Sequence, residues 1–271
     1  GSSAFDLNST IQEHLTRRKW RFNLFPVSWK EWQAHVGYLK SEQELETRLI
    51  YGFYPDVLNH SIRPDEVLNE LVDSYLYKDI LNYAGIRKPD AIQKLVQAIS
   101  YQAGQEVVYK EVGDIVGLDP KTVSHYLDIL EKGFVIFRLP AFSKNLRNEI
   151  KKSQKIYFYD NGVRNAVIQN YDPIVNRMDK GALWENFLIS ERLKQLRYAK
   201  RYARMHFWRT KQQQEVDYVE VSGSDISGYE FKWNPKRGFR FPKTFTKNYS
   251  QNVYGIHRDN FRDFVMPEAK P

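Results

Sequence analysis

Cysteine is absent from the 271 residues, which excludes a disulfide framework or a cysteine zinc ribbon and suits a reducing cytoplasm. No run of about 18 apolar residues occurs, so neither a transmembrane helix nor a membrane partner is expected. No signal-peptide pattern opens the chain. No GxxxxGK[ST] phosphate-binding loop is present. Internal repeats and low-complexity tracts are missing too. What the chain has in quantity is apolar and aromatic residues, 42% and 15%, enough to exclude disorder throughout and to bury a real core. The length suits one to three domains.

The formal net charge is +8, and its distribution says more than its size. Residues 1–60 hold seven bases and seven acids, 61–110 six and seven, and 111–160 eight and seven. Residues 161–271 hold twenty against twelve, so the excess sits in the last part of the chain. Two runs lack any acid: Arg192–Lys211 with eight bases and Lys232–Lys247 with six. A localised basic surface favours a polyanion, most simply nucleic acid.

Along the chain, STIQEHLTRR (9–18) reads as a short helix. FNLFPVSWKEW reads as an aromatic strand, a proline break and a helix capped by Ser28. Helices follow near 41–51, over 64–83 with Pro64 in the first turn, and over 90–103, each with one apolar stripe. From about 161 the pattern changes. A helix at 180–198 precedes strand candidates at 203–209, 215–221, 226–233 and 251–256, as in an α/β domain.

Residues 108–132 (VYKEVGDIVGLDPKTVSHYLDILEK) predict two helices. The first stops at Gly117. The second is capped by Asp119 and opens on Pro120, with Val123, Tyr126, Leu127 and Leu130 inward. Lys121, Thr122, Ser124 and His125 stand at its exposed start, where a recognition helix meets the major groove. Strands at 134–139 and 155–159 pair antiparallel. Between them Lys144, Arg147, Lys151 and Lys152 form a basic connection of wing length. The expectation is a winged helix-turn-helix over 94–160 that contacts DNA through these eight residues. Protein contact alone is the alternative, since many winged helices do only that.

A second constellation lies in the basic part. Glu185 sits in the helix GALWENFLISERL, Asp217 in the strand EVDYV, and Glu230 and Lys232 in YEFKW, two apart and therefore on one side. Carboxylates suit Mg²⁺, which prefers oxygen ligands, activates water and stabilises phosphate charge. A nearby lysine can serve that water or neutralise the transition state. Asp217 and Glu230 would hold the metal, Glu185 would assist, and Lys232 would serve the water or the phosphate. Thr210 and Gln214 add polar contacts; Arg201, Arg204, Arg209 and Lys211 lie on the approach. Solvated strand residues of an ordinary α/β domain are the alternative.

The run GFVIFRLPAFSKNLRNEIKKSQKIYFYDNGVRNAVI, followed by GALWENFLISERLK, FWRT, EVDYVE and YEFKWN, resembles the C-terminal half of a prokaryotic family of AAA+-type ATPases. That half carries a domain of unknown function with a restriction-endonuclease-like, PD-(D/E)xK core. The resemblance implies a winged helix before the nuclease-like core, and its motif falls on Glu185, Asp217, Glu230 and Lys232. LTRRKWRFNLFPVSWKEW is similar to the segment leaving the family's ATPase core, with Arg17 where a glycine is usual and Arg18 kept. Arg18 is thus a candidate for meeting ATP phosphates, with ATP bound only by a longer parent that self-associates through its ATPase part.

The expected fold class is α+β: a helical N-terminal segment, a winged helix-turn-helix, then a restriction-endonuclease-like α/β domain. The expected divisions are 1–60 (ATPase remnant), 61–93 (helical linker), 94–160 (winged helix) and 161–271 (nuclease-like). The expected function is DNA binding by part of a cytoplasmic ATPase with a Mg²⁺-dependent nuclease-like site. The alternative is a catalytically inactive nuclease-fold module that regulates or docks proteins.

Overall fold

The computed structural model describes residues 23–60, 62–79, 89–143 and 154–266, and the fold is mixed α+β with two small sheets. Ser28 opens helix α1 (Trp29–Val36). Its hydroxyl accepts the Glu31 N–H and the Glu31 carboxylate accepts the Ser28 N–H, a reciprocal cap read directly from S-x-x-E. Gly37, at φ +85°, makes the break before α2 (Tyr38–Tyr51). Helices α3 (Pro55–Asn59) and α4 (Pro64–Leu71) each begin on proline, whose missing N–H costs nothing there. Beyond Leu71 the chain widens to a π-helix, Val72–Asp79, so among the described residues the helix expected over 64–83 is α-helical only over Pro64–Leu71.

Helix α5 (Pro89–Tyr101), strand β1 (Glu106–Val107), and helices α6 (Tyr109–Val116) and α7 (Pro120–Lys132) follow. Gly117 ends α6 in the left-handed region at φ +72°. Asp119 caps α7 by accepting the Lys121 and Thr122 N–H groups at 3.0 Å. The predicted inward residues of α7, Val123, Tyr126, Leu127 and Leu130, are all buried. Strands β2 (Ile136–Pro140) and β3 (Gln154–Phe158) pair antiparallel, and the sheet order is β1-β3-β2.

After α8 (Asn161–Val167) comes the long, largely buried α9 (Lys180–Tyr198). Strands β4 (Arg204–Arg209), β5 (Glu215–Ser222) and β6 (Asp225–Phe231) form an antiparallel meander. Helix α10 (Lys243–Asn248) then crosses over to β7 (Val253–Ile256), which runs parallel to β6, and α11 (Phe261–Val265) follows. The sheet order is β4-β5-β6-β7. The two sheets meet where Phe142 N–H donates to Phe207 O at 2.6 Å, beside an Ala141–Phe207 bridge.

The largest core joins distant stretches. Trp29 and Phe53 from the front pack with Trp184 and Phe187 of α9 and Phe261 of α11. Each fully buried aromatic of this kind stabilises the fold by roughly 1.5–3 kcal/mol. A second core lies under α4 to α8 and the small sheet, and a third, smaller one joins Trp208, Val216, Val219 and Phe245. The aromatic strand expected just before Pro26 does not form. Among the described residues no strand offers it a ladder: Phe25 N–H goes to the Tyr198 hydroxyl, Val27 N–H goes to Phe53 O, and the Phe25 ring stacks on Tyr159. The helix expected at 9–18 lies outside the described residues.

Candidate functional site

The four residues predicted to act together lie on α9, β5 and the end of β6. Asn186 fixes the helix. Its side chain accepts Phe158 N–H at 2.8 Å and donates to Phe158 O at 3.0 Å, pinning α9 to the end of β3. The preceding residue, Glu185, is thereby set beside the polar side chains of that strand. Glu185 Oε1 accepts the Tyr157 hydroxyl at 2.6 Å and Lys155 Nζ at 3.2 Å.

Asp217 reaches the same place through an irregularity. His206 pairs with Val219 but Trp208 pairs with Val216, so Phe207 alone faces two residues, Asp217 and Tyr218. Val216 and Val219 stay with the third core while Tyr218 joins the first. The extra residue frees Asp217 from strict alternation and re-aims it toward α9, as bulges beside functional sites do. Asp217 Oδ2 accepts Phe231 N–H at 2.8 Å, which ties β5 to the end of β6.

Glu230 Oε1 meets Lys232 Nζ at 2.9 Å, as the two-residue spacing predicts, and Glu230 Oε2 accepts Arg240 N–H at 2.8 Å. Lys232 lies one residue past β6, with its own N–H on Ile256 O.

The electrostatics bind these groups into one field. Burial, and next the charge of Glu185, push the Asp217 carboxyl up to about 7, against the pull of Lys155 and the Phe231 N–H. Burial opposes the charge on Lys232, yet Glu230, Asp217 and Glu185 outweigh it and raise its affinity for the proton. The same contest is sharper at Lys155, which is only 3% exposed: Glu185, Glu215 and Asp217 hold it protonated well above the ordinary lysine range.

Three residues of this cluster escaped the sequence reading: Lys155, Tyr157 and Glu215. Lys155 Nζ contacts Glu215 Oε1 at 2.6 Å and lies over the Phe207 ring at 5.3 Å. Glu215 stands two before Asp217, so the E-x-D spacing held a hint. The alternation of Lys155 and Tyr157 in KIYFY held another, but their target lies on other elements. Gly104, at φ +79°, closes the cluster from the α5–β1 turn, where a Cβ would stand 3.3 Å from Glu185 Oε1.

The acceptors are all carboxylate oxygens, which in kind suits a hard divalent cation. Among the described residues no group of three or more His, Asp or Glu side chains is arranged to hold a metal ion.

The predicted DNA-contacting residues fare differently. Lys121 and His125 are exposed at the start of α7. Thr122 spends both its N–H and its hydroxyl on the Asp119 cap, and Ser124 is half-buried. Residues 89–132 carry seven carboxylates against four lysines. Lys144, Arg147, Lys151, Lys152 and Arg18 lie outside the described residues. Several bases of the C-terminal part turn inward. Arg192 grips Glu220 at two points, 2.7 and 2.8 Å, Lys194 pairs with Glu191, and Arg209 lies near Glu215 and Glu106. Arg209 is therefore a link within the site rather than a residue on its approach. Arg197, Lys200, Arg204 and Lys211 remain exposed. Among the described residues no helix is long and apolar enough to cross a membrane.

Residues 42–173 match the family model described as Domain of unknown function (DUF8612), and residues 180–263 match Domain of unknown function (DUF4143). The chain is 26% identical over 183 residues to an uncharacterized protein of Haemophilus influenzae, covering 62% of this chain and 44% of that protein. It is 29% identical over 165 residues to uncharacterized proteins of Mycobacterium bovis and Mycobacterium tuberculosis, covering 59% of this chain and 36% of each. The chain thus spans less than half the length of these curated relatives. No solved structure matches. The two matched stretches divide the site: Glu185, Asp217, Glu230 and Lys232 fall in the second, whereas Lys155 and Tyr157 fall in the first.

Proposed function

We propose that this chain is a nucleic-acid-binding region of a longer, cytoplasmic AAA+-type ATPase, carrying a Mg²⁺-dependent nuclease-like site. The observations that support the reading are the Glu230–Lys232 pair at 2.9 Å and the Asp217 carboxylate on Phe231 N–H at 2.8 Å, both at the end of β6. In this reading α5, α6 and α7 with the small sheet are a winged helix-turn-helix. The elements from α9 through β7 are the restriction-endonuclease-like core. The AAA+ part, its ATP and its self-association rest on the resemblance in the sequence and belong to the longer parent.

Asp217 and Glu230 would hold Mg²⁺, which supplies an activated water and charge stabilisation at a scissile phosphate. Glu185 would assist through Lys155 and Tyr157 rather than as a ligand. Lys232, a third exposed, is the ammonium with access to solvent and to a phosphate oxygen. The exposed Arg197, Lys200, Arg204 and Lys211 supply the phosphate-backbone attraction.

The test is cleavage of plasmid and single-stranded DNA in Mg²⁺ or Mn²⁺ by the wild type, Asp217→Asn and Lys232→Ala. Metal-dependent cleavage lost in both variants is the expected result. Cleavage that persists in Asp217→Asn, or none in the wild type, overturns the nuclease-like reading.

One observation favours a second reading, a non-catalytic module on the same fold. The site already holds two ammonium groups, and the exposed charges of α5–α7, four carboxylates and four lysines, make no basic face. An intact, folded wild type that binds neither metal nor DNA is the outcome that selects it.

A further inference from the structure

The acid-free run Lys232–Lys247 enters the proposed site only through Lys232. The rest of it forms the connection from β6 into α10. Lys236, Arg237, Arg240, Lys243 and Lys247 are all exposed. Among the described residues Lys232 alone of this run forms an ion pair, with Glu230. The other acid-free run behaves differently, since its Arg192, Lys194 and Arg209 spend their charge on Glu220, Glu191 and Glu215.

The five cations stand on a connection that is fastened along its length. Strand alternation points Glu230 to the same face as Gly228, which meets the Phe245 ring of α10. Glu230 Oε2 accepts Arg240 N–H at 2.8 Å and so ties down the middle of the connection. Asn234 Oδ1 accepts Lys236 N–H at 2.9 Å, and the Asn234 carbonyl accepts Arg237 N–H at 3.1 Å. Phe239 lies against Gly255 of β7, where a Cβ would overlap its ring, and stacks on His257 at 6.1 Å. Trp233 packs edge-on against Trp184, and the Arg258 guanidinium lies over it at 5.1 Å. Phe245, fully buried, seats α10 against Trp208. Trp233, Phe239 and Phe245 are therefore anchors, and the cations between them face water.

The register puts this surface at one end of the larger sheet. Arg209 pairs with Glu215, and Asp217 holds Phe231 N–H, so the β4–β5 turn with exposed Lys211 shares that end with the start of the connection. Arg204, opposite Val221, stands at the other end, roughly 17 Å along the strand. An unpaired base held in place attracts a polyanion without breaking an ion pair or ordering a loop first. We infer that the β6–α10 connection is a clamp for the backbone of duplex DNA, in which Lys236, Arg237, Arg240, Lys243 and Lys247, with Lys211 beside them, hold phosphates next to Lys232. The inference rests on the nucleic-acid reading above and names the surface that serves it. Duplex is favoured over single strand because the aromatics of the segment are spent on the protein, leaving no platform for stacked bases.

The experiment uses the full chain without added metal and a fluorescein-labelled duplex of arbitrary sequence, reading anisotropy across a salt series. Lys236→Ala, Arg237→Ala and Arg240→Ala together should lower the log–log salt slope by about two to three and weaken binding at least about tenfold near 0.1 M salt. Lys30→Ala, Lys40→Ala and Arg63→Ala together remove the same charge from exposed positions at the front of the chain, and should leave the slope within about one of wild type. An unchanged slope in the loop variant of a DNA-binding wild type overturns the clamp while leaving the nucleic-acid reading standing. A wild type that binds no DNA overturns both. Tighter binding of a single strand of equal length overturns the duplex assignment. Binding to a polyglutamate probe in place of DNA overturns the choice of partner.

Two further readouts test position rather than charge. Phe239→Ala removes an anchor and no charge, and should weaken duplex binding several-fold with the salt slope kept. Unchanged affinity overturns the fixed setting of the connection. In the wild type, amine-reactive labelling read by mass spectrometry should find Lys236 and Lys243 protected several-fold by saturating duplex, with Lys30 labelled at its usual rate. Equal labelling of Lys236 and Lys243 with and without bound duplex overturns the clamp.

Discussion

Two clusters of buried charge hang from the same helix, and they differ in a way that separates support from chemistry. Toward the C-terminal half of α9, Glu191 and Lys194 pair at 2.7 Å and are 2% and 1% exposed. Glu191 also accepts Trp29 N–H at 2.6 Å, while Asp160, close by, accepts Phe53 N–H at 2.7 Å and Gly162 N–H at 2.8 Å. Every acceptor there is used, and the Lys194 ammonium lies over the Phe53 ring. That cluster seals the front of the chain, residues 27–53, onto α9.

At the other end, four carboxylates, Glu185, Glu215, Asp217 and Glu230, stand against three bases, Lys155, Lys232 and Arg209. Glu185 and Glu215 keep 18% and 27% of their side chains exposed. Charge sealed from solvent with every oxygen hydrogen-bonded holds a structure together; carboxylates with access to water are poised to take up a cation or a proton.

The largest test of this contrast is Glu191→Ala. It leaves Lys194 buried without its carboxylate and should cost about 3–5 kcal/mol in chemical denaturation. A loss below 1 kcal/mol, in the range of an exposed pair, would erase the distinction.

Removing a carboxylate from the other cluster should act in the opposite direction. Asp217 ionises near 3.8 in an unfolded chain and at about 7 in the fold. Between those values the folded chain keeps a proton the unfolded chain has released, so this residue's contribution weakens as pH rises from about 4 through 7. Asp217→Asn does not titrate. At pH 8 it should melt a few degrees above the wild type, at roughly 2–4 °C per kcal/mol, with the gap closing as pH falls toward 4. Melting curves of both proteins across that pH range decide it; a constant gap counts against the proton held by Asp217.

A smaller effect is expected at Gly104. Gly104→Ala forces an L residue to φ +79° and presses a methyl toward Glu185, for a loss of about 1–2 kcal/mol by equilibrium unfolding.

The smallest expected change separates the exposed basic residues of α9 to β5 from α7. Neutralising Arg197, Lys200 and Arg204 together should lower the log–log salt slope of DNA binding by about two to three. Lys121→Ala should lower it by at most about one. The reverse order would return nucleic-acid contact to α7.

Much of the local structure was legible because it depends on neighbours in the chain. The Ser28–Glu31 cap, the stop at Gly117, the Asp119–Pro120 start and the inward face of α7 follow from side chains three or four residues apart. The Glu230–Lys232 pair follows from strand alternation. Strand alternation alone could not place Asp217, since a slip in the β4–β5 register, invisible in EVDYV, re-aims it. Counting charge likewise overstated the basic surface, because Arg192, Lys194 and Arg209 satisfy carboxylates inside the fold.

By itself, then, the sequence determined the longer helices, most of the strands and the residue types of the site, through short-range hydrogen bonding and periodic burial. Only the tertiary structure decided that Trp29 and Phe53 share a core with α9, and that Lys155 and Tyr157 of the small sheet enter the carboxylate cluster. The physical reason is that these contacts join residues distant along the chain. Burial of a charge is favourable only where partners from other elements arrive to balance it, and no local pattern records their arrival.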